Sequence, residues 1–253
     1  MPPRVPKTGL RVFIGYDPAE DLAWNVAQYS LHRYASRNQV RVERISRLSI
    51  PEYRRPTTML PSGQLFDEIS DAPMSTDHAI ARFWVPRVCE FTGWALFTDG
   101  DVLFRADVNS LFELADPDKA VMVVQHEPMP EDASKKRGHV QQAYRRKNWS
   151  SVILWNCGHL ANRALTVQLL NTWTGRELHA FNWLRDDQIG ELPARWNHLA
   201  GVSPDHPNPA IVHYTLGTPD VPGHEGDLYA VDWTRFARVV GFTLPAAFHA
   251  EIA

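Results

Sequence analysis

The sequence predicts an α/β fold in a single domain, with helices packed against a central sheet. Three observations support this prediction. Residues 10–45 have the pattern strand, helix, strand; apolar strands alternate with helical stretches along the rest of the chain; and no internal repeat or linker divides it. With 253 residues, 44% of them hydrophobic and nine of them tryptophan, the chain is long enough to bury one large core.

The opening unit begins with an apolar strand at residues 10–15. Asp17, Pro18 and Glu20 then have the form of a capping box, in which an acidic N-cap is followed by proline at the first helical position, so a helix should start here. Residues 40–45 alternate between apolar and charged, which is typical of a second strand. The chain therefore opens with a βαβ unit.

Residues 49–73 are expected to form a long loop, because prolines and a glycine interrupt them repeatedly. A loop of this length in a compact domain usually covers or builds a binding site. A helix is predicted at 76–91, with Pro86 bending it. Arg82 lies off the apolar stripe of that helix, where it is either an exposed arginine or part of a site.

An Asp-Gly-Asp stretch, which is the centre of the predicted site, follows this helix. Residues 94–98 are an apolar run of the kind that forms a buried strand, and they lead into Asp99, Gly100 and Asp101. Residues two apart in an extended chain point to the same side, so both carboxylates can face one point, while Gly100 lets other atoms approach the backbone. Because converging carboxylates repel each other unless a cation lies between them, the pattern indicates a divalent metal and a phosphate-bearing ligand; the alternative is a turn with solvated aspartates.

Further strands are predicted at 120–125, 151–156 and 210–214, and helices at 109–114, 164–173 and 233–240. Polar residues follow four of the predicted strands, and because the carboxyl ends of strands in open α/β sheets share one crevice, we expect them to meet. They are Tyr16-Asp17, Asp99-Gly100-Asp101, Asn156-Cys157-Gly158 and His213-Tyr214-Thr215. A histidine beside two aspartates makes a mixed oxygen and nitrogen site, which suits Mn²⁺ somewhat better than Ca²⁺.

Composition excludes several classes of protein. A net charge of −3 gives no sign of nucleic-acid binding, and no apolar stretch approaches the roughly 20 residues that a membrane span needs. Cys89 and Cys157 are too few for a disulfide framework and are expected to be buried thiols. Residues 1–9 have the composition of a flexible arm without an apolar signal core, so we expect a cytoplasmic protein whose domain spans residues 10–253. The oligomeric state stays open.

Seven short motifs, in order over most of the chain, resemble those of glycosyltransferase family 8, which includes glycogenin and galactosyltransferases. They are Tyr16-Asp17, Ala81-Arg82-Phe83, the stretch from Phe97 to Phe104, Asn156-Cys157-Gly158, Asp187-Gln188, Leu192-Pro193 with Trp196-Asn197, and His213-Tyr214-Thr215. Each motif is weak alone, and their shared order carries the resemblance. It implies a GT-A (Rossmann-like) fold with a mixed, mostly parallel sheet flanked by helices. It also implies transfer of a sugar from a nucleotide-diphosphate donor, UDP-linked in expectation, to a glycan or other hydroxyl acceptor.

The resemblance implies a donor site built around a metal. Asp99, Asp101 and His213 would bind Mn²⁺, or alternatively Mg²⁺, against the diphosphate of the donor. The other implied donor contacts are Tyr16 and Asp17 with the base, Arg82, Asn156, Gly158 and Asp187 with the sugar or its phosphates, and Gly217 where a loop closes on the diphosphate.

The catalytic residues implied by the resemblance are Asp187 and Gln188, with Gln188 near the reacting face of the anomeric carbon. The family retains the anomeric configuration. Two mechanisms stay open at this point: a same-face displacement through an oxocarbenium-like state, and a double displacement in which Asp187 is the nucleophile.

Acceptor contacts are expected from aromatic and polar residues in two segments. Tyr144 and Trp149 flank a basic run at 145–147, which would suit a phosphorylated or sugar-bearing acceptor. Trp196 and Asn197 are the other expected acceptor residues.

The sequence also departs from the family, and other functions remain alternatives. Family members commonly carry a phosphate-binding lysine after the metal histidine, whereas this chain has no lysine after Lys147. The Asp-Gly-Asp stretch superficially resembles the motif of haloacid-dehalogenase-type phosphohydrolases, but that motif belongs on a first strand. A nucleotidyltransferase would need a glycine-rich basic loop after the first strand. A non-catalytic relative that binds a sugar nucleotide is the remaining alternative.

Overall fold

The computed structural model describes residues 9–36, 40–127, 146–204 and 206–241, together with two short strands at 135–136 and 139–140. The strands are, in chain order, β1 Leu10–Gly15, β2 Val40–Ile45, β3 Thr57–Met59, β4 Leu65–Asp67, β5 Ala72–Pro73, β6 Trp94–Thr98, β7 Val102–Phe104, β8 Val121–Val123, β9 Lys135–Lys136, β10 His139–Val140, β11 Val152–Asn156, β12 Ile189–Glu191, β13 His198–Leu199 and β14 Ile211–His213. The α-helices are α1 Asp21–Tyr34, α2 Val85–Val88, α3 Asn109–Phe112, α4 Val167–Thr172, α5 Gly175–His179 and α6 Ala230–Val239.

Six strands form the central sheet, in the order β12-β8-β11-β6-β1-β2. β1 pairs in parallel with β2 and β6, and β12 with β8, whereas β11 runs antiparallel to both of its neighbours. The predicted α/β fold with a mixed, mostly parallel sheet in a single domain is therefore confirmed. We use "carboxyl edge" for the edge where β1 and β6 end, at Gly15 and Thr98, and "amino edge" for the edge where they begin, at Leu10 and Trp94.

Both faces of this sheet are covered. In β6, Ala95 and Phe97 lie in one apolar cluster and Leu96 lies in another, and all three are fully buried. Trp24 and Leu31 of α1 pack on the face of Leu96, whereas α2, α4 and α5 pack on the opposite face. Burial on both sides explains why β6 is apolar from Trp94 to Phe97 instead of alternating.

A second sheet brings the last strand next to the Asp-Gly-Asp stretch. β7 pairs antiparallel with β14, and β14 pairs in parallel with β13, so that His213 lies opposite Val102. The backbone N–H of Tyr214 donates to the carbonyl oxygen of Asp101 at 3.0 Å. Strand pairing therefore places His213 beside the aspartates, although these residues are far apart in sequence.

Residues 49–73 are more regular than the predicted loop, because β3, β4 and β5 form an antiparallel sheet. The side chains of Arg55 and Asp67 are fully buried there and form an ion pair. Arg55 also donates to the carbonyl oxygens of Leu170 and Trp173, at 3.0 and 2.7 Å. A buried charge that is paired and hydrogen-bonded in this way fixes the small sheet against the end of α4.

The helix predicted at 76–91 is wrong in extent. These residues form a 3₁₀ turn at Ala81–Trp84 and then the one-turn helix α2, which begins one residue before Pro86. Proline has no N–H to donate, so the first turn of a helix tolerates it, but a helix running through it loses a hydrogen bond.

The two cysteines lie near each other in the core. Cys89 and Cys157 are both free and buried, as the sequence predicts. A hydrogen bond between their side chains lowers the pKa of Cys89, and burial raises the pKa of Cys157. Within the described ranges, every helix is too short or too polar to cross a membrane.

Candidate active site

The Asp-Gly-Asp stretch lies at the carboxyl edge, between β6 and β7. A Cβ atom on Gly100 would lie 2.5 Å from the carbonyl oxygen of Gly15, at the end of β1. Glycine is required here because the backbones at two strand ends touch. The close backbone approach predicted at Gly100 is therefore observed. The N–H of Asp99 donates to the carbonyl oxygen of Ser151 at 2.8 Å, which holds the stretch against the start of β11.

Asp99, Asp101 and His213 come together, so this part of the predicted convergence is observed. One ligand atom of each residue lies within 4.8 Å of the other two. His213 Nε2 is 3.3 Å from a carboxylate oxygen of Asp101 and 3.8 Å from one of Asp99. These distances are about 1.6 and 1.8 times a metal–ligand bond of about 2.1 Å, as for neighbouring ligands of one ion, so the three atoms fit around one divalent cation. We name these three residues the acidic cluster.

Asp99 is held by two further side chains. Nη2 of Arg82 lies 2.7 Å from one of its oxygens, and Nε2 of His78 lies 3.1 Å from the same oxygen. Burial tends to raise the pKa of Asp99, but the charge of Arg82 and the interactions with His78 outweigh it and lower the pKa to about 2. Asp99 is therefore ionised at neutral pH, which a metal ligand must be.

Arg82 lies in the site and is buried, so the alternative that it is an exposed helix arginine is wrong. Its Nε and Nη1 donate to the carbonyl oxygens of Ala79 and Ser150, at 3.0 and 2.8 Å. All three nitrogens of the guanidinium therefore have protein partners, and the guanidinium orients Asp99 and neutralises part of the charge of the acidic cluster.

A polar cavity opens beside the acidic cluster. Ser70, Asn148, Ser150, His179 and Thr215 contribute hydroxyl, amide and imidazole groups to its lining. Nδ1 of His179 is 2.7 Å from Oγ of Ser150. Burial, together with the charge of Arg82, lowers the pKa of His179 to about 3, so this imidazole is neutral at physiological pH. The cavity can therefore bind a ligand with many hydroxyl groups.

A second cavity adjoins the first and reaches the end of β1. The two share Met74, Ser75 and Thr76, and the second extends to Asp17 and the apolar side chain of Leu48. Together they form one groove along the carboxyl edge, with a more apolar end and a polar end on either side of the shared residues.

Asp17 and Tyr16 are at this edge, as predicted from the first strand. Asp17 lines the second cavity, where its carboxylate accepts from the N–H groups of Ala19 and Asp77, at 2.9 and 2.8 Å. The hydroxyl of Tyr16 donates to Asp21 at 3.0 Å. The capping role predicted for Asp17 is thus observed, on a 3₁₀ turn that precedes α1.

Gly217 follows the acidic cluster in the loop after β14. Its φ is +152°, and a Cβ atom there would lie 2.6 Å from the ring of His224. The N–H of Gly217 donates to the carbonyl oxygen of Tyr214 at 3.0 Å. The glycine is therefore required for the packing of this loop against His224.

Asn156 and Gly158 are not in the site, and the expectation that they share its crevice is wrong. β11 is antiparallel to β6, so Asn156 pairs with Trp94 at the amino edge. Asp99 lies five residues further along β6, about 16 Å away at about 3.3 Å per residue. The Asn156 amide instead donates to the carbonyl oxygens of Pro117 and Lys119.

Asp187 and Gln188 are also at the amino edge, because they precede β12 and β12 is parallel to β8. Asp187 pairs with Arg185 at 3.0 Å, and both side chains are exposed. Gln188 accepts from the N–H of Arg185, and with Asn156 and Gly158 it borders a shallow surface depression. These two residues end a turn instead of facing the acidic cluster, so the structure does not bring the predicted catalytic pair to the site.

The predicted acceptor residues divide in three ways. Trp196 and Asn197 are buried, which excludes direct contact with an acceptor. Trp149 is partly buried, and its indole N–H donates to the carbonyl oxygen of His126 at 2.9 Å. Tyr144 lies outside the described residues.

Sequence reasoning missed two histidines of the site. His78 contacts Asp99, and the ring of His78 occupies the space that a side chain on Gly15 would need. His78 lies four residues before Arg82, a spacing that puts two residues on one face of a helical turn and was the available signal. His179 lies at the end of α5, and nothing in the local pattern marks it.

Comparisons with known proteins support the fold seen here. The chain is similar to WbbM, a bifunctional glycosyltransferase, with TM-score 0.58 and 16% identity over 90% of this chain and 49% of that one, so it spans about half the length of WbbM. It is similar to the glycosyltransferase GlyE of Streptococcus pneumoniae TIGR4, with TM-score 0.56 and 16% identity over 91% of this chain and 62% of that one. LgtC, a galactosyltransferase, gives TM-score 0.54 and 14% identity over 94% and 99% of the two chains.

Sequence comparison identifies a relative over most of the chain. No model of a known protein family matches the chain. Protein CDI of Arabidopsis thaliana is 39% identical over 218 residues, which are 84% of this chain and 80% of that protein. The chain therefore has the GT-A fold and belongs to the family of Arabidopsis Protein CDI.

Proposed function

We propose that the chain is a metal-dependent glycosyltransferase that moves a sugar from a nucleotide-diphosphate donor, a UDP-sugar in the first instance, to a hydroxyl group of a glycan or another acceptor. The observation that carries this proposal is the acidic cluster at the carboxyl edge of a GT-A fold. LgtC, which shares the fold, has been solved with donor and acceptor sugar analogues. Further support comes from the family 8-like motifs that do reach the site, which contain Asp17, Arg82, Asp99, Asp101 and His213.

Asp99, Asp101 and His213 would hold Mn²⁺ or Mg²⁺. Their carboxylate and imidazole atoms fit one cation, and burial of Asp101 and His213 keeps two of the three side chains in place before it binds. A bound divalent cation would stabilise the negative charge that develops on the leaving diphosphate, an effect worth several kcal/mol in other enzymes. Arg82 and His78 then keep Asp99 ionised and oriented toward the ligand.

The groove suits the three parts of a nucleotide sugar. We place the base in the more apolar cavity near Asp17, the diphosphate at the acidic cluster, and the sugar in the polar cavity lined by Ser150 and His179. Hydroxyl groups of a sugar need hydrogen-bond partners when they leave water, and the side chains of Ser150, His179 and Ser70 are of the type that supplies them. Arg82 takes part of the role of the missing phosphate-binding lysine, because it adds positive charge beside the diphosphate position.

The carboxylates of the cavity favour the same-face mechanism. Among the described lining residues they are Asp67, Asp99 and Asp101. Asp67 is paired with buried Arg55, and the other two belong to the acidic cluster. Asp187, the nucleophile of the double-displacement alternative, lies at the amino edge. We therefore propose retention through an oxocarbenium-like state that is shielded by the diphosphate on one face.

A screen of nucleotide sugars tests the proposal. The protein is incubated with Mn²⁺ and a panel of UDP-, GDP- and other nucleotide sugars, and slow hydrolysis is followed by mass spectrometry. We expect at least one UDP-sugar to release UDP, and chelation of the metal to stop the release. Hydrolysis of simple phosphomonoesters with no turnover of any nucleotide sugar would instead support the phosphohydrolase alternative. Binding of a nucleotide sugar without turnover, in the presence of candidate acceptors, would support the non-catalytic one.

A further inference from the structure

Asn197 is buried behind the acidic cluster and contacts His213 from the side away from the aspartates. Its side chain has no exposed surface, and its Oδ1 lies 3.3 Å from Nδ1 of His213. The other nitrogen of the same ring, Nε2, faces Asp101 and Asp99. Asn197 is thus placed to decide which ring nitrogen of His213 carries a proton.

Two hydrogen bonds fix the orientation of the Asn197 amide. Nδ2 lies 3.2 Å from the carbonyl oxygen of Asn148, which can only accept, so the NH₂ group must face it. Nδ2 also lies 2.9 Å from Oγ of Ser151. The Ser151 hydroxyl donates its proton to the same Asn148 carbonyl at 2.7 Å, so it accepts from Asn197. Both donors of the amide are used, and Oδ1 must be the atom that faces His213.

The proton on His213 follows from that orientation. An amide oxygen accepts but cannot donate, so the 3.3 Å contact requires a proton on Nδ1 of His213. In the neutral ring with Nδ1 protonated, Nε2 presents its lone pair toward the two carboxylates, which is the form of imidazole that binds a metal. A histidine with the opposite tautomer would direct an N–H at the cation position.

We propose that Asn197 is a positioning residue that holds His213 in the metal-binding tautomer. The inference rests on the metal site of the proposed function. The amide belongs to a network that also sets the other side of the acidic cluster, because the carbonyl of Ser150 accepts from Arg82 and the carbonyl of Ser151 accepts from the N–H of Asp99. The segment from Asn148 to Ser151 therefore orients ligands on both sides of the cation position.

Asn162 is a matched control at the amino edge. It is also fully buried, and its Nδ2 also donates two hydrogen bonds, to the carbonyl oxygens of Ala120 and Asn156 at 2.9 and 2.8 Å. Its Oδ1 accepts from the indole N–H of Trp183 instead of a histidine. Removing either amide costs the fold a comparable set of contacts, and only one of them touches the acidic cluster.

The first experiment measures Mn²⁺ affinity by the loss of the free-ion electron paramagnetic resonance signal, for the wild type, Asn197→Ala and Asn162→Ala. We expect Asn197→Ala to bind Mn²⁺ about 10- to 100-fold more weakly, as is usual when a partner of a ligating histidine is removed. Asn162→Ala should bind as the wild type does. Equal affinities for the wild type and Asn197→Ala, or equal losses in the two variants, would overturn the proposal.

The second experiment needs no variant that disturbs the network. Long-range ¹H–¹⁵N spectra of the metal-free protein at pH 8 report which ring nitrogen of His213 is protonated, with the signals assigned by comparison with His213→Gln. We expect a proton on Nδ1, and a bare Nδ1 would overturn the proposal even if Asn197→Ala does not fold. If the wild type binds no Mn²⁺, the metal site of the proposed function fails, and the Nδ1 proton still decides the role of Asn197.

Discussion

The two edges of the central sheet carry similar residues that the fold treats differently. At the carboxyl edge, Asp99 is 15% exposed and pairs with Arg82, which is 5% exposed. At the amino edge, Asp187 is 68% exposed and pairs with Arg185, which is 71% exposed. Each edge also has a glycine beside these residues, Gly100 or Gly158. The chemical types match, but only one edge excludes water from its charges.

This difference shows why burial, more than residue type, identifies the site. An ionised side chain is costly to bury unless it is paired, so the buried contact between Arg82 and Asp99 holds both side chains in one geometry. A pair that stays in water, such as Arg185 and Asp187, is held loosely and contributes little to stability. The comparison yields matched substitutions, one at each edge.

The largest expected effect is on turnover. Asp101→Asn removes a cluster carboxylate, and it should lower Mn²⁺-dependent hydrolysis of the donor by at least about 10³-fold, because stabilisation by a metal is worth several kcal/mol. Asp187→Asn changes an exposed carboxylate at the amino edge and should leave the rate unchanged. Initial rates of UDP release for both variants check this. An equal loss of rate in Asp187→Asn would show that Asp187 takes part in catalysis.

The next effect is on stability. Arg82→Ala leaves Asp99 without its main partner, and removal of one member of a buried pair costs about 3 kcal/mol of unfolding free energy. Arg185→Ala should leave the unfolding midpoint where it is, since its pair is solvated. Urea unfolding in metal-free buffer measures both. If the two variants unfold at the same urea concentration, burial at the carboxyl edge does not strengthen the pair of Arg82 and Asp99.

A smaller effect separates the two glycines. A Cβ on Gly100 would meet the Gly15 carbonyl at 2.5 Å, so Gly100→Ala forces a backbone shift that we expect to cost about 1–3 kcal/mol. The nearest atom to a Cβ on Gly158 is 3.7 Å away, and Gly158→Ala should be within about 0.5 kcal/mol of the wild type. Thermal unfolding of the pair tests the close approach. A tolerated Gly100→Ala would contradict it.

At neutral pH the smallest effect is that of His179, because its contribution to stability is a pH dependence that grows only in acid. Burial and the charges of Arg82 and His78 lower the pKa of His179 to about 3, while Asp99 acts in the opposite direction. The unfolded chain, with a pKa near about 6.5, binds the proton more readily, so stability should fall as the pH drops below that value, by at most about 1.4 kcal/mol per pH unit.

His179→Asn removes the titrating group. The wild type should therefore lose stability relative to this variant between pH 7 and pH 4. Above pH 7 the free energies of unfolding of the two proteins should differ by a constant amount. Urea unfolding across this range measures the difference. Parallel profiles below pH 6 would show that His179 is not held neutral in the fold.

Local pattern was sufficient for much of the fold and part of the site. The apolar run before Asp99 predicted a strand buried on both faces, and the one-residue spacing of Asp99 and Asp101 predicted converging carboxylates. His213 was also placed correctly, because it is the last residue of a strand that pairs with β7, directly after Asp101. These features depend on residues within one strand or directly after it.

The errors at the amino edge have one physical origin, which is strand direction. A run such as 152–156 has the same composition whether it is parallel or antiparallel, and the direction of β11 decides on which edge Asn156 falls. Asp187 and Gln188 were expected at the carboxyl edge for a related reason. They precede β12 and do not follow it, so they lie at the amino edge. Asn197 was predicted to contact the acceptor because the sequence motif does not show burial. Its side chain is in fact fully buried.

The central claim is that the carboxyl edge binds a nucleotide diphosphate through a metal held by the acidic cluster. The direct test is the thermal unfolding midpoint of the wild type and of Asp101→Ala with UDP, each with Mn²⁺ and with a chelator. A ligand that binds only the folded state raises the midpoint, so UDP should raise that of the wild type with Mn²⁺ and leave the other three conditions unchanged. An equal UDP effect in Asp101→Ala, or none in the wild type with Mn²⁺, would contradict the claim.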